Sequence, residues 1–320
     1  MITKLRTLFG WMGCVALMVT LLASPVLAIN WIGGIGDYND PNNWEGGALP
    51  DVANGDSAEF VEAGDNPQID ADLTVNPRFI LITNGTVNQT AGLVDFTNGG
   101  PELGYTDGTS TYNLSGGEMR VAEARFTDVN IGLFAGGNST FNLTGTGFLN
   151  QIGVDGTRGV QIGRGAPGQL NMRDTAQLFT AGQLRNGGDD ASGTGTFSIH
   201  GDGVQIDSVM NYTQNANSTL DLHINGISPI NTQASAVLDG ILQVNFLSAP
   251  SMGDDFTIIT TGTGVEGTFA AVSVTGAPSV SVNYAGGDGN DVVLTVVPEP
   301  SVLVLATIGS LLLVPLRRRK

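Results

Sequence analysis

The chain has 320 residues, of which 13 are Lys or Arg and 30 are Asp or Glu, for a formal net charge of −17. Such a surface repels phosphate backbones, because nucleic-acid affinity rests on clustered basic residues, so no nucleic acid is expected among its partners. A hydrophobic fraction of 41% argues against disorder, and a single cysteine, Cys14, excludes a disulfide framework.

Residues 1–28 read as a signal peptide. Lys4 and Arg6 precede an apolar run over residues 8–23, and Val26-Leu27-Ala28 places small or modest side chains where signal peptidase reads. Ala28 is the expected cleavage position and Ile29 the mature start. Cys14 departs with this segment, which leaves no thiol for catalysis or metal binding.

Residues 29–84 are expected to form a cap and the first strands. Trp31 and Trp44 are the natural lids over the end of a stacked β-structure, whose unpaired edges and apolar layers must be covered. An alternative for this aromatic, Asp-rich stretch is a sugar-binding surface.

Internal repetition dominates residues 85–230. Thr111-Tyr112-Asn113-Leu114 recurs as Thr140-Phe141-Asn142-Leu143 and again as Gln169-Leu170-Asn171-Met172, both times after 29 residues. Looser copies follow as Thr196-Phe197-Ser198-Ile199 and Thr219-Leu220-Asp221-Leu222, and Leu103-Gly104, Ile131-Gly132 and Ile162-Gly163 mark a second position. Period-two alternation with glycine punctuation means strands and turns. A repeat of this length cannot bury its apolar face alone, so the copies are expected to stack. Stacking puts Tyr112, Phe141, Leu170, Phe197 and Leu220 in one inward column and aligns Asn113, Asn142 and Asn171 on the outer face. A second strand in each copy is expected to point Met119, Phe148 and Val204 inward, with Leu178 replacing Gln177 through a bulge. The competing architecture is a set of antiparallel sandwiches.

Residues 231–297 are expected to close the stack as a hairpin-like β-cap. Within them, Gly286-Gly287-Asp288-Gly289-Asn290-Asp291 opens a nonapeptide of the calcium β-roll type. A single copy supplies only part of the six to eight oxygens calcium needs, so a glycine-rich turn is the preferred reading, with Asp288 and Asp291 the calcium candidates. No other cofactor is expected. No catalytic residue is assigned: Asp189 and Asp190 near Arg185, with His200 on a neighbouring strand, are the only set that could imitate an active site. His200 and His223 read as outward strand residues.

Residues 298–320 form a tail of three parts: Pro298-Glu299-Pro300, an apolar run over 301–316, and Arg317, Arg318, Arg319 and Lys320. Such a segment sits in a bilayer with its basic end on the cytoplasmic side. At about 1.5 Å per residue the run spans about 24 Å, short of a hydrocarbon core of about 30 Å, so a transient anchor fits better than an ordinary permanent span. Without both ends the body keeps seven arginines, no lysine and 29 acids, a balance of −22.

This tail resembles the PEP-CTERM sorting signal of exported proteins in Gram-negative bacteria. The resemblance implies recognition by an exosortase, a membrane protease-transpeptidase that removes the tail during delivery to the surface or matrix, with Pro298, Glu299, Pro300, Arg317, Arg318 and Arg319 as the signal residues. The segments around Trp31, Trp44 and Phe60, and around Leu238–Val244 and Val280–Tyr284, are similar to the ends of autotransporter-like β-strand-repeat proteins, which implies a β-helix.

The expected fold is therefore all-β: a parallel β-helix or β-solenoid with an N-terminal cap and a C-terminal β-hairpin cap, flanked by a signal-peptide helix and a C-terminal transmembrane helix. The expected function is that of an exported, non-enzymatic surface or extracellular-matrix protein associated with exopolysaccharide or cell–cell contact. Its expected partners are signal peptidase, an exosortase and, at least transiently, the membrane. The alternatives are a β-helix polysaccharide lyase or hydrolase, and an ice-binding or calcium-dependent adhesive module. The ice reading is weakened because Thr109-Ser110-Thr111, Thr144-Gly145-Thr146 and Thr194-Gly195-Thr196 share no register in the sequence. Deleting residues 298–320 is expected to release the protein from the membrane fraction into the periplasm or medium; unchanged fractionation of the truncated protein would refute the sorting assignment.

Overall fold

The computed structural model describes residues 27–122, 128–134, 136–153, 159–188, 193–226 and 229–298. The signal segment up to residue 26, the loop acids Asp189 and Asp190, and the tail from Glu299 through Pro300 to Arg317, Arg318 and Arg319 lie outside the described residues. Among the described residues, no helix is long and apolar enough to cross a membrane.

The alternating pattern folds as an all-β parallel solenoid. Each coil contributes one strand to each of three sheets, as in Val129–Ile131, Asn138–Leu143 and Phe148–Gln151. The first and second sheets hold ten strands each and the third holds nine. Parallel pairing extends to either side of residues 85–230. It begins with Ala28–Asn30 on Ser57–Phe60 and runs to Ala271–Thr275, which lies on Ile241–Phe246. Among the described residues, only the last two strands, Val280–Gly286 and Asp291–Val296, form an antiparallel hairpin, and it docks on Asp255–Thr261.

The inward columns are continuous. Val87, Tyr112, Phe141, Leu170, Phe197, Leu220 and Leu242 follow one another in register along the second sheet, all fully buried. Burying such a side chain contributes about 1.5–3 kcal/mol, and strand spacing of about 4.8 Å lets neighbouring rings meet. Tyr112 and Phe141 stack with centroids 5.1 Å apart and planes 8° from parallel.

In the third sheet the inward column is Met119, Leu149, Leu178 and Ile206, not Met119, Phe148 and Val204. Phe148 is half-buried on the other side of its strand. The cause is the connection from the second sheet: three residues follow Leu114, four follow Leu143 and Met172, and five follow Ile199 before the next strand starts. Each added residue moves the inward position one step along the sequence, so Leu178 is reached without a bulge.

Gly104, Gly132 and Gly163 follow the last residues of three successive first-sheet strands, with φ of 74°, 78° and 73°. This left-handed turn carries the chain into the second sheet, and a Cβ at Gly132 would approach the carbonyl oxygen of Ala166 to 2.6 Å. That close approach explains why glycine follows the Leu or Ile of each marker.

At the N-terminal end, Trp31, Tyr38 and Trp44 close over Phe60. Trp44 lies 4.8 Å from Tyr38 and 5.0 Å from Trp31 in edge-to-face contact. Both indole N–H groups are satisfied, donating to the carbonyls of Gly34 and Tyr38 at 2.8 Å. Trp31 and Trp44 are 2% and 1% exposed, which removes them as a sugar platform.

On the outer face Asn113 donates to Asn88, Asn142 to Asn113, and Asn171 to Asn142, at 2.7–2.8 Å. Asn88 extends the ladder to Asn66. An amide carries both donor and acceptor, so identical side chains at the strand spacing satisfy one another. Asn142→Asp removes the donor to Asn113 and turns a carboxylate toward its carbonyl oxygen. The substitution is expected to lower unfolding stability by about 1–3 kcal/mol in urea titrations, and a change below 0.5 kcal/mol would show that the ladder contributes little.

Candidate functional site

Outward residues of the second sheet build one long face. Its first column reads Thr86, Thr111, Thr140, Gln169, Thr196 and Thr219, then Ile241 and Ala271. Its second reads Asn88, Asn113, Asn142, Asn171, Ser198, Asp221, Gln243 and Ser273 in the same rungs. A third, shorter column holds Arg173, His200, His223, Asn245 and Thr275. The second column continues N-terminally to Gln68 and Asp37, so the permanent charges along these columns are Asp37, Asp221 and Arg173, in a chain with 30 acidic residues. Thr111 and Thr196 fall in one column, as the alignment of the repeat copies requires, whereas Thr144 and Thr146 lie in the turn after Leu143.

His200 and His223 point outward, and their rings stack at 3.9 Å. Burial, then His223 and Arg173, lower the His200 pKa, with Asp221 opposing. His223 Nε2 lies 3.1 Å from Asp221 Oδ2, which also accepts the Ser198 hydroxyl at 2.6 Å. Serine and histidine therefore share a carboxylate instead of forming a serine–histidine relay, in which the imidazole would take the hydroxyl proton. Asp221, His223, Gln243, Val244, Asn245, Ser273 and Thr275 line an open depression of about 360 Å³ at the C-terminal end of the face. A second groove, lined by Asn138, Thr140, Gln169, Thr194 and Thr196, runs along its margin.

A different cluster lies outside the first sheet. Glu102, Asn130, Gln161 and Arg185 stack in register. Gln161 Nε2 donates to Asp128 at 3.2 Å, and Arg164 Nη1 lies 4.0 Å from the same carboxylate. Burial raises the Glu102 pKa from 4.5 to about 7, with Arg164 opposing and Asp128 adding to the shift. Sequence reasoning missed this set, since its members are about 25–35 residues apart and acquire a common face only through the coil length.

The described members of the set suggested by the sequence lie apart. Arg185 belongs to the first sheet and His200 to the second, so they project from different faces, and Asp189 and Asp190 lie outside the described residues. Asp288 is exposed in the final hairpin turn, whereas Asp291 accepts the backbone N–H of Thr261 at 3.1 Å and ties that turn to the coil. Among the described residues, no group of three His, Cys, Asp or Glu side chains could hold a metal ion. Ala28 opens the first strand opposite Ser57, and Pro298 is half-buried just after the last strand.

Fold and faces together define a three-sheet parallel β-solenoid with one extended, nearly uncharged polar face. No protein-family model, curated protein or solved structure matches the chain.

Glu102 provides a pH test of the first-sheet cluster. Its folded pKa of about 7 lies above the ordinary 4.5, so the stability linked to its neutral form is complete below pH 4.5 and is lost as pH rises through 7. Glu102→Gln is expected to match the parent near pH 4 and to exceed it at pH 8 by on the order of 2 kcal/mol. Urea unfolding at the two pH values checks this; an equal difference at both would disprove it.

Proposed function

We propose that the chain is an exported, non-enzymatic surface or extracellular-matrix protein, and that it holds exopolysaccharide on the outer face of its second sheet. The observation that carries this reading is the face itself: regular rungs of hydroxyl and amide groups, nearly free of permanent charge, along a strongly acidic body. Polysaccharide chains present hydroxyls at regular intervals, and such a face meets them without placing opposing charges or large apolar patches against them. The solenoid supplies a rigid length for this purpose, because each coil is fixed by its neighbours.

In this reading Ala28 marks the signal cleavage position. Pro298, Glu299, Pro300, Arg317, Arg318 and Arg319 direct delivery through an exosortase-type system, with the apolar run of the tail as a transient anchor. The activity calls on no cofactor. The separation of Arg185 from His200 and the sharing of Asp221 by Ser198 and His223 favour binding over a lyase or hydrolase mechanism.

One observation favours a second reading, an ice-binding face: Thr86, Thr111, Thr140, Thr196 and Thr219 share a column interrupted only by Gln169. Co-sedimentation of the protein, recovered from its producing cells, with exopolysaccharide from the same cells separates the two readings. Retention of the protein without release of new reducing ends is expected, together with no thermal hysteresis in freezing measurements. Chain cleavage would replace binding by an enzyme, and hysteresis without retention would replace it by ice recognition.

A further inference from the structure

The outer face of the second sheet is not uniform along its length. From Asn88 to Asn171 its middle column is closed on itself, each amide donating to the carbonyl of the preceding rung. The ladder ends where Gln169 donates to Asn171 Oδ1 at 2.9 Å. Beyond it the same column continues as Ser198, Asp221, Gln243 and Ser273. There the chemistry changes from amides that satisfy one another to side chains of different length, and the depression opens beside them.

Two of its groups are held in place. Asp221 is fixed from one side by the Ser198 hydroxyl and from the other by His223. Asn245 accepts the Thr275 hydroxyl at 2.9 Å and turns its amide nitrogen toward His223 Nδ1. Between them, Gln243 and Ser273 are exposed and make no side-chain hydrogen bond to the described residues. The depression therefore combines an oriented carboxylate, an oriented amide and uncommitted donors and acceptors, at rung intervals of about 4.8 Å.

We propose that this depression, formed by Asp221, His223, Gln243, Asn245, Ser273 and Thr275, is a subsite for an uncharged sugar unit of an extended glycan. The inference rests on the polysaccharide-binding reading given above and narrows it to one end of the face and one class of sugar. Asp221 accepts hydroxyl hydrogens in charge-assisted bonds, the stronger kind of hydrogen bond available here. Gln243 and Asn245 each offer a donor and an acceptor to vicinal hydroxyls, and Ser273 and Thr275 extend the contact to the next unit. The volume of about 360 Å³ falls in the range of small-molecule sites. Charge selects the sugar class. The permanent charge in the depression is the Asp221 carboxylate, and the nearest arginine in these columns, Arg173, is separated from His223 by the His200 rung. A uronate or sulfated unit would meet a carboxylate in a protein already at −17.

Isothermal titration of the protein, purified from its producing cells, with uncharged hexasaccharides of glucose, mannose and galactose and with hexagalacturonate tests the assignment. At least one uncharged hexasaccharide is expected to bind and hexagalacturonate to fail. Asp221→Asn and Gln243→Ala, both on the outer face, should each weaken binding at least tenfold while leaving the thermal midpoint unchanged, and Thr213→Ala, on the first sheet, should leave affinity within twofold. Tighter binding of hexagalacturonate would overturn the proposal. So would unchanged affinity in Asp221→Asn and Gln243→Ala, or retention of exopolysaccharide without affinity for any uncharged hexasaccharide; in these cases polysaccharide binding itself stands. Loss of exopolysaccharide retention by the unaltered protein would remove both.

Discussion

Every feature of this protein depends on parallel, in-register stacking at the strand spacing. Once one coil lies on the next, a residue is no longer surrounded by arbitrary neighbours; it sits between its own equivalents. Inside, that means Tyr112 against Phe141 and Leu143 against Met172, a core with one side chain per rung in each column. Outside, an amide can meet an amide and an imidazole can meet an imidazole. The constraint is severe because any outward charge repeated on successive coils would lie about 4.8 Å from its copy. An acidic chain can tolerate this only by keeping its acids off adjacent rungs of a column, and the second sheet does so.

The faces consequently differ in chemistry although the backbone is the same. On the first sheet, Glu102 and Arg185 flank the amides Asn130 and Gln161, and burial makes Glu102 titrate near neutrality. On the second sheet the rungs are almost all Thr, Asn, Gln and Ser. A polymer of hydroxyl groups and a crystal of water both match the second face better than a polyanion does, and only the depression at the C-terminal end distinguishes a sugar from a flat lattice. The ends are treated separately: aromatic side chains cover the first coil, and an antiparallel hairpin follows the last parallel strands.

Part of this was legible beforehand. The interval of 29 residues fixed Asn113, Asn142 and Asn171 as equivalents, and alternation assigned Tyr112, Phe141 and Leu170 to the core. The third sheet was harder to read. Turns grow by one residue at a time without disturbing the stack, so carrying the seven-residue step from Tyr112 to Met119 over to Phe141 lands on Phe148 instead of Leu149. Glu102, Asp128 and Arg164 offered no motif, because each belongs to a different coil and acquires its neighbours only across the stack.

The sequence by itself determined the period, the inward and outward sides of the second-sheet strands, and the glycine positions, because these follow from alternation and local backbone geometry. The proposal of two terminal signals likewise rests on local composition alone. Tertiary structure alone decided which rung each residue occupies, how far the parallel stack runs, and where Asp221, His223, Gln243 and Asn245 come together. Those are consequences of coil length, a quantity that sums many turns and that no single segment records.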